Sequence, residues 1–507
     1  MKVLAAFGLT CCLFAQGADT RAAESRPEPM RLGLADAVNL ALRNNLDLRA
    51  AAMDQRIAAT RVREALGELD PVLYGDLGGG HREQRFPGVF PNPSNPSQTL
   101  VLLINDQSET SDGSLGIRGL LATGATYDFS LNTDYQYQQE NAFLNPIFNS
   151  TANLRLTQPL LRGAWESYVK GPVEQAKISV QESVESWRGT VLTGIRGVET
   201  AYLDLLFAIE DLKTRRRSLE VADEVLATTR IQVETGAFPR VELTSAESAR
   251  AFRFAEVLSA EAKVTESEDR LRKEIFSFDA VSDWTTPLVP TDPIEPPEAV
   301  LLPVASLIDV ALKREPNVLA ARLVIERQKI DVERRLSERA PKLDAFGNIS
   351  ANAVNDDGIQ AWEDAFNRAT NALSWRAGVQ FEMALGNRSA KARLAEAELV
   401  VQKSRMQLHA RETDVTYEVR NAVRNLETAR RNIKARREAL RLAEEQLAIE
   451  RTKLESQAST NLAVFQVEDQ LNLRRTELVR AYLDARLALL DLPRVTGAPI
   501  EELTAKP

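Results

Sequence analysis

The chain has 507 residues, of which 44% are hydrophobic, 27% charged and only 6% aromatic, and its formal net charge is -9. About 150 residues per domain would suggest roughly three domains, but this Ala-, Leu-, Glu- and Arg-rich composition is that of long helices rather than of enzyme cores. The acidic balance argues against nucleic acid as a partner, which would need a basic face, and the apolar fraction argues against disorder.

The first element is a signal peptide: Lys2, an apolar run from Val3 to Phe14, and small residues in Ala15-Gln16-Gly17. Residues 1–23 are therefore assigned to export and the start of the mature chain. Both cysteines, Cys11 and Cys12, lie inside this segment, so the mature protein is expected to hold no disulfide. No later stretch approaches the roughly 18 apolar residues of a spanning helix. Membrane insertion would have to use β-strands.

Residues 24–70 carry an N-terminal segment and a first amphipathic helix with Leu40, Leu46, Ala50 and Ile57 on one face, stopped at Asp70-Pro71. Residues 71–162 read as strands and extracellular loops, and 163–279 as a long helical hairpin turning at Thr235-Gly236-Ala237-Phe238-Pro239. After a Pro-rich linker, 280–302, the pattern starts again: a helix at 303–341, strands at 342–386, a second hairpin at 387–492 and a tail at 493–507. The second hairpin has neither Gly nor Pro between Asn387 and Leu492, and its turn falls in the polar patch Ser456-Gln457-Ala458-Ser459-Thr460-Asn461. Sixty helical residues span about 90 Å, taller than a compact domain.

The recurrence is an internal duplication. Val38–Ala51 aligns with Ile308–Ala321 at an offset of 270, and Val198–Ala201 with Val419–Ala422 at an offset of 221. The first copy therefore carries about 49 extra residues between these blocks.

The short segments alternate with period two. Tyr127, Phe129, Leu131, Tyr135 and Tyr137 alternate with Asp128, Ser130, Asn132, Asp134 and Gln136; Ala377, Val379, Phe381, Met383 and Leu385 alternate with Arg376, Gln380 and Glu382. Such a pattern suits transmembrane β-strands, which must close into a barrel. Four to six strands per chain are too few, so the chain is expected to oligomerise. Helices on both sides of the strands require an even number of crossings. Segments 72–78, 125–137 and 151–161 are clear candidates, with 115–121 a fourth. Either 115–137 forms an extracellular hairpin, the favoured expectation, or the barrel is enlarged. Phe86–Ser97, with four prolines, reads as a surface loop.

With the signal peptide and the duplication, three motifs carry a resemblance: the opening Leu34-x-x-Ala37-x-x-x-Ala41-Leu42-x-x-Asn45-x-x-Leu48, the strand end Leu156-Thr157-Gln158-Pro159-Leu160, and the Thr235-Gly236 tip. Together, in this order, they resemble the TolC family of outer-membrane efflux proteins over about residues 30–495. The resemblance implies a mainly α fold with a membrane β-barrel portion. A duplicated unit of strands plus a long helical hairpin would form a trimeric α-barrel continuous with a transmembrane β-barrel, usually of twelve strands. It also implies a homotrimer in outer-membrane lipid, a periplasmic adaptor (membrane fusion) protein docking at Thr235, Gly236, Ala237, Gln457 and Ala458, and an inner-membrane pump or ABC transporter.

The second tip lacks the usual glycine, Gln457 standing in its place, and the positions where the family often puts aperture aspartates hold Ala463 and Gln466. Arg240 and Glu242 are the candidate aperture residues instead; the alternative for Glu242 is a solvated acid at a helix start. Arg215-Arg216-Arg217 and Arg436-Arg437 read as solvated helix faces paired with Glu, or as docking patches. No catalytic, cofactor or metal motif is found. The function expected is a passive exit duct gated at its tips, for efflux or type I secretion. The alternative is a non-conducting periplasmic coiled-coil scaffold.

Overall fold

The computed structural model describes residues 29–138, 147–277, 282–298, 301–367, 373–456 and 458–503. The expected signal segment and Gln457 lie outside the described residues. Repeat 1 comprises β1 (Met30–Leu32), α1 (Leu34–Asn44), α2 (Leu46–Gly67), β2 (Val72–Asn92), β3 (Asn95–Leu120), β4 (Thr126–Gln138), β5 (Ile147–Pro159), the short α3 (Glu166–Val169), α4 (Gly171–Glu234) and α5 (Arg240–Ile275). The connection adds α6 (Ser282–Thr285) and β6 (Leu288–Pro290). Repeat 2 comprises α7 (Val304–Arg314), α8 (Pro316–Arg339), β7 (Lys342–Asn355), α9 (Gly358–Asn367), β8 (Leu373–Glu382), α10 (Arg388–Glu455), α11 (Asn461–Thr496) and the terminal α12 (Ile500–Leu503).

The two offsets read from the sequence reappear in the fold. Helices α1 and α7 begin 270 residues apart, as do α2 and α8, while α5 and α11 are both 36 residues long and start and end 221 apart. The duplication extends to packing. One core gathers Ala37, Ala41, Val198, Ala201, Leu205 and Leu271. The other holds their counterparts Leu307, Ala311, Val419, Ala422, Leu426 and Leu492. Even the helix start is repeated: the Asn45 side chain accepts from the backbone N–H of Asp47 and Leu48, and that of Glu315 from Val318, each satisfying otherwise orphaned donors. At about 1.5 Å per residue, α10, with its 68 residues, is about 100 Å long. No helix among the described residues is long and apolar enough to cross a membrane.

The strands form one antiparallel six-stranded sheet in the order β2-β3-β4-β5-β7-β8. Along β4 and β8 one face is mainly apolar and the other polar, as period-two alternation dictates, whereas Leu100–Leu103 of β3 place apolar side chains on both faces. On the apolar side α9 packs against β4, β5 and β7, its Phe366 ring 6.4 Å from Phe129 and its Trp362 indole donating to the Thr133 hydroxyl.

Two expectations about the first copy need correction. Residues 115–137 do not turn at the extracellular end. β3 and β4 are joined by residues 121–125, where Leu121 N–H donates to Ala125 O and Trp165 N–H donates to Thr123 O, so this turn sits at the helical end. The Phe86–Ser97 segment is not a loop. It forms the far end of the long β2–β3 hairpin, which turns at Pro93-Ser94 and runs past the last β3–β4 pair, Ser108 with Gln138. Proline is tolerated there because β2 is an edge strand, where a missing N–H breaks no ladder bond.

The connection between repeats is anchored. β6 pairs in parallel with β1, and the Asp292 carboxylate accepts from the Tyr202 hydroxyl at 2.6 Å and from Leu34 N–H at 2.6 Å while facing Arg486 at 3.2 Å. Close by on α4, Glu199 is buried, which pushes its carboxyl up to about 7, with Arg196 opposing and Asp491 adding to the rise. The folded value lies above the ordinary 4.5, so the folded state binds the proton more tightly between the two. Stability attributable to this group is present below about 4.5 and is lost as pH rises through about 7. Glu199→Gln is therefore expected to stabilise the protein at pH 8 by on the order of 1–3 kcal/mol. Denaturation followed by circular dichroism at pH 4 and pH 8 checks this, with the difference from wild type largely gone at pH 4.

Candidate gate at the hairpin tips

The first tip is built by local hydrogen bonding. At the end of α4, Gly236 N–H donates to Val233 O at 3.1 Å and Ala237 N–H to Gln232 O at 2.8 Å, the paired bonds of a Schellman motif. This needs a left-handed residue, and Gly236 has φ +78. The Thr235 hydroxyl donates back to the carbonyls of Ile231 and Gln232, and Pro239 then begins the return helix. The second tip keeps the main closure: Ala458 N–H donates to Lys453 O at 2.8 Å, the bond equivalent to that of Ala237. Here Thr460 caps α11 through Ala463 N–H, in place of the proline.

The structure brings Thr235, Gly236 and Ala237 together on one exposed turn and places Ala458 at the matching point of the other hairpin. Arg240 is exposed at the first position of α5, and Glu242 is half-buried in the first turn, its N–H donating to Pro239 O. Around these turns Ile231, Val241 and Leu462 leave apolar side chains in solvent.

A link between the hairpins lies 13 residues up α5, about 20 Å from the tip. Arg253 of α5, only 3% exposed, donates to the Ser218 hydroxyl of α4 at 2.9 Å and to the Asp469 carboxylate of α11 at 2.6 Å. Its guanidinium also sits over the Phe465 ring of α11, 5.0 Å from the centroid. The neighbouring Glu468 is buried, and this burial pushes its carboxyl up against the pull of Arg253, Arg451 and Arg475. Sequence reasoning missed this cluster, since Arg253 and Asp469 are 216 residues apart and each looks like an ordinary polar position of a helix.

The arginine runs prove to be ion-paired helix faces. Arg215 pairs with Glu256 and Asp211, Arg216 with Glu261 at 2.7 Å, Arg436 with Glu477 and Arg437 with Glu295. Along α10, Leu399, Met406, Tyr417, Leu442 and Ile449 are between 46% and 73% exposed. At 100° per residue they fall on one side of the helix, within about 40°. These exposed apolar positions share their side of α10 with Arg424 and Arg431 and have no partner within the chain. Among the described residues no group of three or more His, Cys, Asp or Glu is placed to hold a metal ion.

An apolar-faced sheet continuous with paired helical hairpins about 100 Å long defines the class: an outer-membrane channel with a tall helical extension. The outer membrane efflux protein family matches residues 126–275 and 307–498, and the chain belongs to that family. The match leaves β2 and β3 outside. Three solved structures have a similar fold. CusC has a TM-score of 0.68 and 16% identity, covering 94% of each chain. VceC of Vibrio cholerae has a TM-score of 0.64 and 15% identity, covering 92% of this chain and 96% of the other. The open state of the Neisseria gonorrhoeae MtrE outer membrane channel has a TM-score of 0.63 and 17% identity, covering 93% and 91%. No curated protein matches the sequence. By family and fold the chain is an outer-membrane efflux channel.

Proposed function

We propose that the chain forms the homotrimeric exit duct of a tripartite efflux or type I secretion system, passive in transport and gated at its periplasmic hairpin tips. The observation that carries this reading is the set of unpartnered apolar side chains along α10. Side chains of this size stay in water only at a cost, roughly 25 cal/mol per Å² of exposed apolar surface, and a neighbouring copy of the same helical wall removes it. The exposed turns around Thr235, Gly236, Ala237 and Ala458, edged by Ile231 and Val241, supply a docking surface for a periplasmic adaptor. That adaptor would couple the duct to an inner-membrane pump or ABC transporter, and its binding opens the gate only through differential contacts with the open state. Purified protein in a planar bilayer is expected to give trimer-dependent conductance. A trimer that never conducts would instead favour a scaffold.

Glu242, half-buried in the first turn of α5, is the acid we assign to the aperture, three per trimer beside Arg240. Glu242→Gln is expected to lower the cation-over-anion permeability ratio about twofold or more, the size of a fraction of a kcal/mol between neighbouring ions. Reversal potentials in a salt gradient read the ratio directly, and an unchanged value removes Glu242 from the aperture.

A further inference from the structure

Resting on the trimeric-channel reading, we propose that all six strands of each subunit enter the membrane and that β8 of one subunit pairs with β2 of the next, closing an eighteen-stranded barrel. The register carries the argument. One outward row crosses the whole sheet without a gap: Leu73, Ile117, Phe129, Leu154, Ile349 and Trp375, paired strand by strand. Every member is exposed, from Phe129 at 38% to Trp375 at 76%. The next row on this face, Gly75, Leu115, Leu131, Ala152, Ala351 and Leu373, carries no polar side chain either, and its central members Leu131, Ala152 and Ala351 are buried on the side where α9 packs. On the opposite face the matching row is Val72, Arg118, Asp128, Arg155, Asn348 and Arg376, polar on every strand except β2.

Strands β2 and β3 thus carry the lipid-facing belt at the same height as the other four. A hairpin lying outside the bilayer would have no reason to continue that row. In hydrocarbon each unpaired backbone group costs several kcal/mol, so both free edges, β2 and β8, must be paired. β4 offers no edge, because β3 is bonded along it from Ser108 to Leu120. Among the described residues, the edges left free at the height of this row are those of β2 and β8, and they meet each other in a second copy. Six crossings also keep both helical hairpins on one side, and the roughly 49 extra residues of the first copy are accounted for by the added pair of crossings. Barrel diameter grows about linearly with strand number, so eighteen strands give a lumen about half as wide again as twelve.

Cysteine pairs in the full-length chain, assembled in outer membranes, test this. Ala377→Cys or Val379→Cys on β8 is combined with Leu73→Cys or Gly75→Cys on β2, or with Phe129→Cys or Leu131→Cys on β4, the single variants serving as controls. Oxidation is expected to convert at least one β8–β2 combination to covalent dimers and trimers, at least tenfold above the β8–β4 combinations. Crosslinking through β4 instead, or through neither in a chain that amine-reactive crosslinking shows to be trimeric, overturns the six-strand closure and leaves the channel reading intact. Absence of any trimer overturns both. Electron cryomicroscopy of the wild-type trimer in nanodiscs counts the strands independently, with eighteen expected and twelve refuting.

Discussion

Replacing Arg253 with Gln is expected to loosen the closed periplasmic end more than any other single substitution near the tips. Arg253 of α5 is buried and holds groups from two other helices, with Ser218 on α4 and both Asp469 and Phe465 on α11. It therefore ties the first hairpin to the second. Arg253 is buried but the Asp469 carboxylate is 56% exposed, so water takes over part of the lost contact and the truncation costs about 1.5–3 kcal/mol. If half of that cost is specific to the closed arrangement, the open population rises about three- to tenfold, at about 1.4 kcal/mol per factor of ten. The measurement is single-channel conductance of the wild type, Arg253→Gln and Asp469→Asn in planar bilayers, with susceptibility of expressing cells to a large hydrophilic antibiotic as the cellular readout. Both variants are expected to conduct more without adaptor, and the double variant should add little to either single one, since the two side chains form one link. Unchanged conductance in a properly assembled trimer would make the link structural rather than part of the gate.

The parts of this molecule that were legible in its sequence share a physical cause. Helical periodicity over 36 to 68 residues and a recurrence at fixed offsets leave little freedom, and α5, α10 and α11 begin and end within a few residues of where the pattern puts them. Strands β4 and β8 were legible because apolar and polar side chains alternate along most of their length. The upper part of β2–β3 was not. Gly78-Gly79-Gly80 and the prolines between 87 and 96 are loop signals by local propensity, yet an edge strand and a two-residue turn accommodate them. The turn at 121–125 was misplaced for a related reason: alternation gives the face of each residue but not the direction in which a strand runs. Tip residues were recognisable from turn chemistry, whereas the Arg253–Asp469 link depends on how two hairpins pack and leaves no local trace.

The connection between the repeats shows the same limit and carries the second large effect. Composition makes 280–302 a linker, and nothing local marks Asp292 among its prolines as a structural hub. In the fold its carboxylate is the acceptor for the buried Tyr202 hydroxyl of α4 and for Leu34 N–H at the start of α1, and it is the counter-ion of Arg486 on α11. The counterpart of Tyr202 in repeat 2 is Val423, so this lock exists only once. Partial burial pushes the Asp292 carboxyl up, but the hydrogen bonds from Tyr202 and Leu34 and the charge of Arg486 outweigh it and hold it below the ordinary carboxylate value. A depressed folded value means that the stabilisation is fully present above the unfolded pKa, about 3.9, and is lost as pH falls through the folded one. Asp292→Ala removes the acceptor of Leu34 N–H, while the Tyr202 hydroxyl keeps Leu32 O and the Arg486 guanidinium keeps Pro293 O, and is expected to cost about 2–3 kcal/mol at pH 7. Tyr202→Phe removes only the hydroxyl and should cost about 1–3 kcal/mol. Denaturant titrations of the detergent-solubilised protein at pH 7 and pH 3 separate the contributions: the Asp292→Ala deficit should shrink at the lower pH. The double variant should cost less than the sum of the singles, because the bond between Tyr202 and Asp292 is lost in either case. Strict additivity, or a deficit unchanged between the two pH values, would show that the carboxylate does not join the first helix, the connection and the second hairpin into one cooperative unit.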